Sequence, residues 1–195
     1  MSDAAPASNV IIADLSPLRL LSEPVGVRVA GSPRRLQSEL AVEFDGVNDG
    51  LILGELGPLA GLATFRVIAR IRPSRTGAFE QRFFHVQAHG CDDRLLMEIR
   101  LLPSGEWYAD TYFEYQEERV LLQDPARLHP SDHWATYEVV YDGRTVRHTI
   151  DGIEELSAPL EGARLPEHGV ISLGVRATME HPFAGSIGSV AVWSG

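Results

Sequence analysis

Residues 134–152 read WATYEVVYDGRTVRHTIDG, a turn dipeptide between two runs of alternating apolar and polar side chains. The runs are residues 134–141 and 145–150. Because the side chains of a β-strand point alternately to its two faces, each run fits a strand with one buried face. The dipeptide Asp142-Gly143 favours a tight hairpin turn, since it tolerates the backbone angles that such a turn requires. The stretch therefore predicts a two-faced antiparallel hairpin.

Short runs of the same kind recur along the whole chain at fairly even spacing. A helical pattern is limited to one turn around residues 56–62. We predict an all-β protein, a two-sheet antiparallel sandwich, with one domain over residues 9–195 and a disordered segment at residues 1–8. The predicted strands cover residues 9–13, 26–30, 40–44, 50–53, 64–72, 82–89, 94–102, 106–115, 118–122, 134–141, 145–150, 169–175 and 183–193.

The composition excludes several classes of protein and partner. With 44% hydrophobic and 23% charged residues, the 195-residue chain has the composition of a globular protein. No apolar run reaches the roughly 18 residues of a membrane-spanning helix, so we expect no membrane partner. A formal charge of −10 repels phosphate backbones, so we expect no nucleic acid partner. The first residues, MSDAAPASNV, lack the basic and apolar regions of a secretory signal. They predict a cytoplasmic protein, or a secreted one if a leader has been removed.

Two further segments, together with the hairpin, carry a family resemblance. Residues 41–53 read AVEFDGVNDGLIL, and residues 181–193 read HPFAGSIGSVAVW. In this order the three segments resemble the signatures of laminin G-like domains in the concanavalin A-like lectin/glucanase superfamily. The resemblance spans residues 41–193 and implies a jelly roll of two curved sheets, whose concave sheet commonly holds sugars. We therefore expect an oligosaccharide or polysaccharide as partner, and the oligomeric state stays open.

The resemblance also implies a calcium site at the rim of the sandwich. Asn48 and Asp49 occupy the place of the family's paired aspartates, and oxygen ligands of this kind suit a hard cation. Yet the first aspartate has become Asn48, and the aspartate of the closing segment has become Gly188, so two formal charges are missing. Two interpretations stay open: a calcium site with Asn48 and Asp49 as ligands, or a tight turn over residues 45–50.

Titratable side chains gather on one face of the predicted strands. In FFHVQAH, residues 83–89, alternation places Phe84 and Val86 in the core and Phe83 with His85 on the opposite face. An ordinary solvated sheet face shows the same alternation, and this interpretation stays open. If neighbouring strands follow the pattern, the polar face collects Arg70, His85, Gln87, His89, Glu98, Arg100, Tyr108, Asp110, Tyr112, Glu114, Glu138 and His148.

These residue types suit the hydrolysis of a glycan. Two carboxyl groups flank the scissile bond in glycoside hydrolases, and they stand about 5–5.5 Å apart for retention or about 6.5–9.5 Å for inversion. A working pair must come from two strands, such as Glu98 with Asp110 or Glu98 with Glu138. The Glu-x-Asp-x-Glu strand of the superfamily's glucanases is absent from the chain, which argues against a glucanase.

Lyase chemistry fits the same face. In the superfamily's polysaccharide lyases an arginine, glutamine or asparagine neutralises a uronate while histidine and tyrosine act as base and acid. Arg70 or Arg100, with His85 and Tyr112, would fill these roles. Four carboxylates on one face would repel a polyuronate, however, and this acidity favours a neutral glycan or a metal. Zinc or manganese would have His85, His89 and Glu98 as ligands.

The sequence thus predicts a carbohydrate-active enzyme, a lyase or a hydrolase, that works on its concave sheet. A non-catalytic lectin-like module, with or without calcium, is the alternative, since binding needs aromatic platforms and hydrogen-bonding groups but no matched acid and base. An interaction domain is a third. The predicted catalytic residues are His85, Gln87, Glu98, Arg100, Asp110, Tyr112, Glu138 and His148, and the predicted substrate-binding residues are Arg70, His89, Tyr108 and Glu114.

Overall fold

The computed structural model describes residues 10–195 and has two antiparallel β-sheets. Its helical segments are the α-helix α1 (Pro17–Ser22) and two 3₁₀ turns, Gln37–Glu39 and Gly57–Leu59. The strands are β1 (Val10–Asp14), β2 (Val27–Ala30), β3 (Arg34–Leu36), β4 (Ala41–Asp45), β5 (Gly50–Leu53), β6 (Phe65–Pro73), β7 (Glu80–Ala88), β8 (Arg94–Leu101), β9 (Glu106–Tyr115), β10 (Glu118–Gln123), β11 (His129–Pro130), β12 (Ala135–Tyr141), β13 (Thr145–Ile150), β14 (Ile153–Pro159), β15 (Gly169–Leu173) and β16 (Ala184–Ser194).

Each sheet has eight strands. Sheet A has the order β14-β13-β12-β6-β16-β4-β3, with β1 paired to β16. Sheet B has the order β10-β9-β8-β7-β15-β5-β2, with β11 paired to β9. The predicted jelly-roll sandwich is therefore confirmed. Most neighbours in each sheet are distant in sequence, so the sheet to which a strand belongs does not follow from its own pattern.

The predicted strands all occur, most of them within one or two residues of their predicted ends. Three short or polar strands, β3, β11 and β14, were not predicted. The predicted helical turn is the 3₁₀ turn Gly57–Leu59, whereas α1 was not predicted, because six residues with a single buried leucine, Leu20, give no helical periodicity. The predicted disorder of residues 1–8 concerns positions outside the described residues.

The core lies between the sheets and is rich in aromatic residues. The rings of Phe65 on β6 and Phe113 on β9 meet edge to face across the core, with centroids 5.6 Å apart. The rings of Phe83 and Tyr137 pack at a tilt, with centroids 5.2 Å apart. Tyr137 belongs to the predicted hairpin, whose inner residues are fully buried. Burial of such large apolar side chains is the main driving force for closing the two sheets onto each other.

A β-bulge in β7 changes which side chains face outwards. The register of β7 against β8 shifts between Arg82 and Phe84, so Phe83 is an extra residue there. Both Phe83 and Phe84 lie in the core. The prediction that Phe83 shares a face with His85 is therefore wrong, and Arg82 shares that outer face instead.

Across residues 10–195, the structure contains no helix long and apolar enough to cross a membrane.

Candidate functional site

A hollow of about 140 Å³ lies on the outer face of sheet B. Its floor comes from the middle strands β7, β8 and β9, and one wall comes from the edge strand β10. The segment 174–183, which connects β15 to β16 and is called the covering segment below, supplies the opposite wall. The lining residues are Arg82, Arg94, Leu96, Glu98, Arg100, Asp110, Tyr112, Leu121 and Arg176.

The floor of the hollow is a network of buried ion pairs, which we call the floor network: Glu80, Arg82, Glu98, Arg100 and Asp110. Strand pairing places Arg82 opposite Glu98, and Glu98 opposite Asp110. Arg100 Nη2 lies 3.0 Å from Glu98 Oε2 and 2.6 Å from Asp110 Oδ2. Arg82 Nε lies 2.5 Å from Glu98 Oε1, and Glu80 binds both guanidinium groups. Glu98 and Asp110 are 1% and 0% exposed, so these pairs are shielded from solvent.

The floor network holds three carboxyl groups but two guanidinium groups. One carboxylate therefore lacks a matching positive charge, and burial makes its ionisation costly. Burial raises the pKa of Glu98 to about 7, against the pull of Arg82, and the neighbouring Asp110 charge adds to the rise. Burial also raises the pKa of Asp110, although Arg100 opposes this. Both shifts have the direction expected of a buried site that holds more carboxyl than guanidinium groups.

One side of the hollow carries an aromatic ring. Tyr112 is half-buried, and its hydroxyl donates a hydrogen bond to Glu114 Oε2 over 2.8 Å. The guanidinium of Arg94 lies 4.9 Å from the centroid of the Tyr112 ring and makes an ion pair of 2.9 Å with Glu114. Phe79 stands 55% exposed beside the same sheet, with its ring centroid 5.8 Å from the guanidinium of Arg100. Two aromatic rings are thus available to pack against a ligand.

The covering segment seals His85 from solvent. Ala177 donates its backbone N–H to His85 Nδ1 over 3.3 Å, and Arg82 donates its own N–H to the carbonyl of His181. The pKa of His85 is lowered to about 3, mainly by burial and in addition by the charges of Arg176 and Arg82. His85 is therefore a neutral imidazole with its proton on Nε2, because Nδ1 accepts a hydrogen bond.

The structure places most of the predicted site residues on one face. Tyr108 is buried opposite Arg100 in the strand register, and Gln87 donates to the carbonyl of Cys91 over 3.2 Å, next to Arg94. The predicted residues that share the outer face of sheet B are His85, Gln87, Glu98, Arg100, Tyr108, Asp110, Tyr112 and Glu114.

Three predicted site residues belong to the other sheet, so their placement on this face is wrong. Glu138 lies on the outer face of sheet A, where it binds Arg66. Arg70, also in sheet A, stacks on Trp134 at 3.7 Å. His148 points between the sheets, with Nδ1 3.0 Å from Thr111 Oγ1, and burial lowers its pKa to about 4. The cause is topological, since the hairpin β12–β13 pairs with β6 rather than with β9.

His89 is also displaced from the hollow. It follows the last residue of β7, is exposed to solvent, and lies beside Glu167 and His168. His85 and His89 therefore do not converge with Glu98 on one ion. Over the described part of the chain, no group of three histidine, cysteine, aspartate or glutamate side chains is arranged to hold a metal.

The turn at Asn48 and Asp49 is held by its own hydrogen bonds. Asp49 accepts the N–H of Ser32 at Oδ1 over 2.6 Å and the N–H of Asp45 at Oδ2 over 3.0 Å. Asp45 Oδ1 in turn accepts the N–H groups of three residues, among them Asn48 and Asp49. These bonds engage the oxygens that a cation would need, so the residues fit the tight turn better than a calcium site. The calcium prediction itself stays untested.

Sequence reasoning missed three arginines of the hollow, Arg82, Arg94 and Arg176, and one aromatic residue beside it, Phe79. Strict alternation would place Arg82 on the face of Phe84, and only the bulge at Phe83 turns it into the hollow. Arg176 lies in the covering segment, where no periodic pattern exists to orient a side chain. Phe79 lies in a loop before β7, and an exposed aromatic residue in a turn was the one signal available.

Comparison with known proteins agrees with this architecture. A family model of laminin G type, described as Concanavalin A-like lectin/glucanases superfamily, matches residues 45–195. No curated protein sequence matches the chain at a significant level.

Several solved structures share the fold at low sequence identity. Domain 4 of the extracellular GH43 arabinanase AbnA from Geobacillus stearothermophilus, in complex with arabinotriose, has a TM-score of 0.69 and 17% identity, covering 96% of this chain and 93% of that one. The CBM40 of the Ruminococcus gnavus IT-sialidase, bound to α2,3-sialyllactose, has a TM-score of 0.63 and 15% identity, covering 80% and 92%. Domains LG4-5 of the mouse laminin α1 chain have a TM-score of 0.63 and 20% identity, covering 85% of this chain but 44% of that one.

Proposed function

Since the chain belongs to the concanavalin A-like lectin/glucanase superfamily, we propose that its hollow binds an oligosaccharide without cleaving it. Two of the similar solved structures hold an oligosaccharide, arabinotriose in one and sialyllactose in the other. The proposal for this chain depends on the geometry of its own side chains. It takes the non-catalytic alternative of the sequence analysis over the lyase or hydrolase.

The observation that carries the proposal is the position of Arg100 between the two central carboxyl groups. Its Nη2 lies 3.0 Å from Glu98 and 2.6 Å from Asp110, so a guanidinium group occupies the space between them. A glycosidase needs the scissile bond in that space, flanked by an acid and a nucleophile or base. Both carboxyl groups are also almost fully buried. Neither is free to reach a glycosidic oxygen or an anomeric carbon.

The residues predicted for lyase chemistry are engaged as well. His85 is sealed under the covering segment, and a pKa of about 3 makes it a weak base near neutral pH. The hydroxyl of Tyr112 donates to Glu114, and Arg100 is held by three carboxyl groups. The predicted acid, base and uronate-binding groups thus have fixed structural partners.

Binding, in contrast, needs what the hollow offers. A rigid, charged floor orients polar groups in advance, which lowers the entropic cost of association. Tyr112 and the exposed Phe79 supply aromatic surface on which a sugar ring packs, and Leu96 with Leu121 adds apolar surface. A concave site that combines convergent polar groups with some aromatic and apolar surface suits a polar ligand such as a sugar.

The proposal is tested with an array of oligosaccharides, followed by assays of each bound glycan for new reducing ends and for unsaturated products. We expect binding and no turnover. Phe79→Ala and Tyr112→Ala should each weaken binding about 5- to 30-fold, the usual effect of removing an aromatic contact worth ~1–2 kcal/mol. Ile153→Ala is the matched control, because Ile153 is 68% exposed on the edge strand of sheet A.

Turnover of a bound glycan would instead establish the enzyme of the sequence analysis. In that case, loss of turnover in Glu98→Gln would restore the predicted hydrolase or lyase site. Binding that is indifferent to both aromatic substitutions would place the sugar elsewhere on the molecule. Failure to bind any glycan would favour the interaction domain.

A further inference from the structure

Resting on this proposed function, we infer that the hollow selects an acidic sugar and receives its carboxylate or sulfate group against Arg176. The inference concerns the class of glycan, which the proposed function leaves open. It depends on three features of the hollow: an arginine with little charge compensation, an excess of hydrogen-bond donors, and a cluster of guanidinium groups.

Arg176 is the arginine of the hollow with the weakest compensation. The other three each have a carboxylate close by: Arg82 at 2.5 Å, Arg94 at 2.9 Å and Arg100 at 2.6 Å. In the described part of the chain, the acidic contact of Arg176 is limited to Glu180, at 3.5 Å, whose side chain is 58% exposed. An exposed carboxylate at that distance neutralises little charge. Arg176 therefore brings a positive charge to the hollow that remains available to an anion.

The buried polar atoms of the lining residues that lack a partner are mostly donors. Arg82 Nη1, Arg94 Nε and Arg176 Nε are buried nitrogens that have no acceptor among residues 10–195. Two buried acceptors of the lining have no donor within the same residues. One is Glu98 Oε1, which faces Arg82 Nε, and the other is Asp110 Oδ1. Sugar hydroxyls need donors and acceptors in similar number, whereas carboxylate and sulfate groups accept only. The imbalance favours an anionic ligand.

Three guanidinium groups also stand around one neutral imidazole. His85 lies close enough to Arg82, Arg94 and Arg176 for each charge to lower its pKa, in addition to burial. The positive charge of these three arginines is therefore concentrated around His85 on the outer face of sheet B. A planar guanidinium also matches a carboxylate or sulfate with two parallel hydrogen bonds.

The structure removes the electrostatic objection to a polyuronate. That objection counted four carboxylates on the face, among them Glu98, Asp110 and Glu114. Each of these three is bound by an arginine at 3.0 Å or less, and Glu138 lies on the other sheet. An acidic sugar therefore meets carboxyl groups that arginines already bind, together with the positive charge of Arg176 on one wall.

Isothermal titration calorimetry with matched pairs of probes tests the inference. One pair is an oligogalacturonide and its methyl ester, and the other is a sulfated oligosaccharide and its unsulfated parent. We expect the acid of at least one pair to bind about 10- to 100-fold more tightly than its neutral partner, as a charge-assisted contact supplies. The preference should shrink when NaCl rises from about 20 to about 200 mM. The pair that shows it distinguishes a uronate from a sulfate ester.

Arg176→Gln should weaken binding of the acid about 10-fold or more relative to binding of its neutral partner, so that the preference disappears. Arg144→Gln is the control, because it makes the same charge change at an exposed position in the β12–β13 turn. Equal affinity for the acid and neutral partners overturns the inference while the proposed function stands. An intact preference in Arg176→Gln overturns the role of Arg176. If no probe or array glycan binds, the proposed function itself fails. Should the substitution disturb the covering segment, the comparison of paired probes on the wild-type protein still decides.

Discussion

Replacement of Glu98 by glutamine should change how stability depends on pH. The pKa of Glu98 is about 7 in the folded protein and 4.5 for an ordinary glutamate. A carboxyl group whose folded-state pKa is raised stabilises the fold least when it is ionised. Its contribution is therefore highest below pH 4.5 and is lost as the pH rises through 7. At about 1.36 kcal/mol per pKa unit, the loss totals roughly 3 kcal/mol, of which about 2.5 kcal/mol falls between pH 5 and pH 8. With its side chain 2% exposed, Glu98 has little solvent screening to reduce this figure.

Urea denaturation of the wild type and Glu98→Gln, at half-unit steps from pH 5 to pH 8, measures this effect. Glutamine has the shape of the protonated side chain and no charge to lose. The free energy of unfolding of Glu98→Gln, minus that of the wild type, should therefore increase by about 2–3 kcal/mol from pH 5 to pH 8, which means that the variant gains relative stability. Glu118→Gln, at an exposed position of β10, is the control and should give a flat difference. A difference for Glu98→Gln that is also flat within about 0.5 kcal/mol would refute the burial argument, and the three-to-two charge count with it.

Four further predictions follow from the fold. Gly174→Ala should lower the stability of the fold by about 2–4 kcal/mol in thermal melts, because the φ of Gly174 is +76° and an added Cβ would stand 2.2 Å from the Phe44 ring. Gly162→Ala is the control: an added Cβ there has nothing within 4 Å, so the substitution should cost about 1–2 kcal/mol. His148→Gln should flatten the acid limb of stability in denaturant titrations, since a folded-state pKa of about 4 against 6.5 costs stability as the pH falls through that window. Asp49→Asn should lower the melting temperature, because the side chain loses part of its hold on two N–H groups. Millimolar calcium should leave the wild-type melt unchanged against a chelator, and a rise of several degrees would restore the calcium site.

The sequence predicts the positions of some site residues correctly and those of their neighbours incorrectly, and the reason is physical. Alternation is local, so it correctly placed His85, Glu98 and Asp110 on one outer face. A bulge is also local but leaves little trace in the sequence, so Phe83 was predicted on the outer face although it lies in the core. The sheet to which a strand belongs depends on contacts with distant strands. The hairpin was recognised as a hairpin, yet His148 was placed on the wrong sheet.

The covering segment determines both the neutral state of His85 and the position of Arg176. By sealing His85 it keeps that imidazole neutral, and by passing over the sheet it brings Arg176 to the hollow. The segment starts at Gly174, whose backbone conformation a larger residue adopts only with strain. A change at Gly174 should therefore lower stability and the preference for acidic sugars together, whereas Arg176→Gln should lower the preference alone. If the Gly174 variant keeps its preference for acidic sugars, sheet B forms the hollow without the covering segment. If stability and preference fall together, the covering segment is needed to form it.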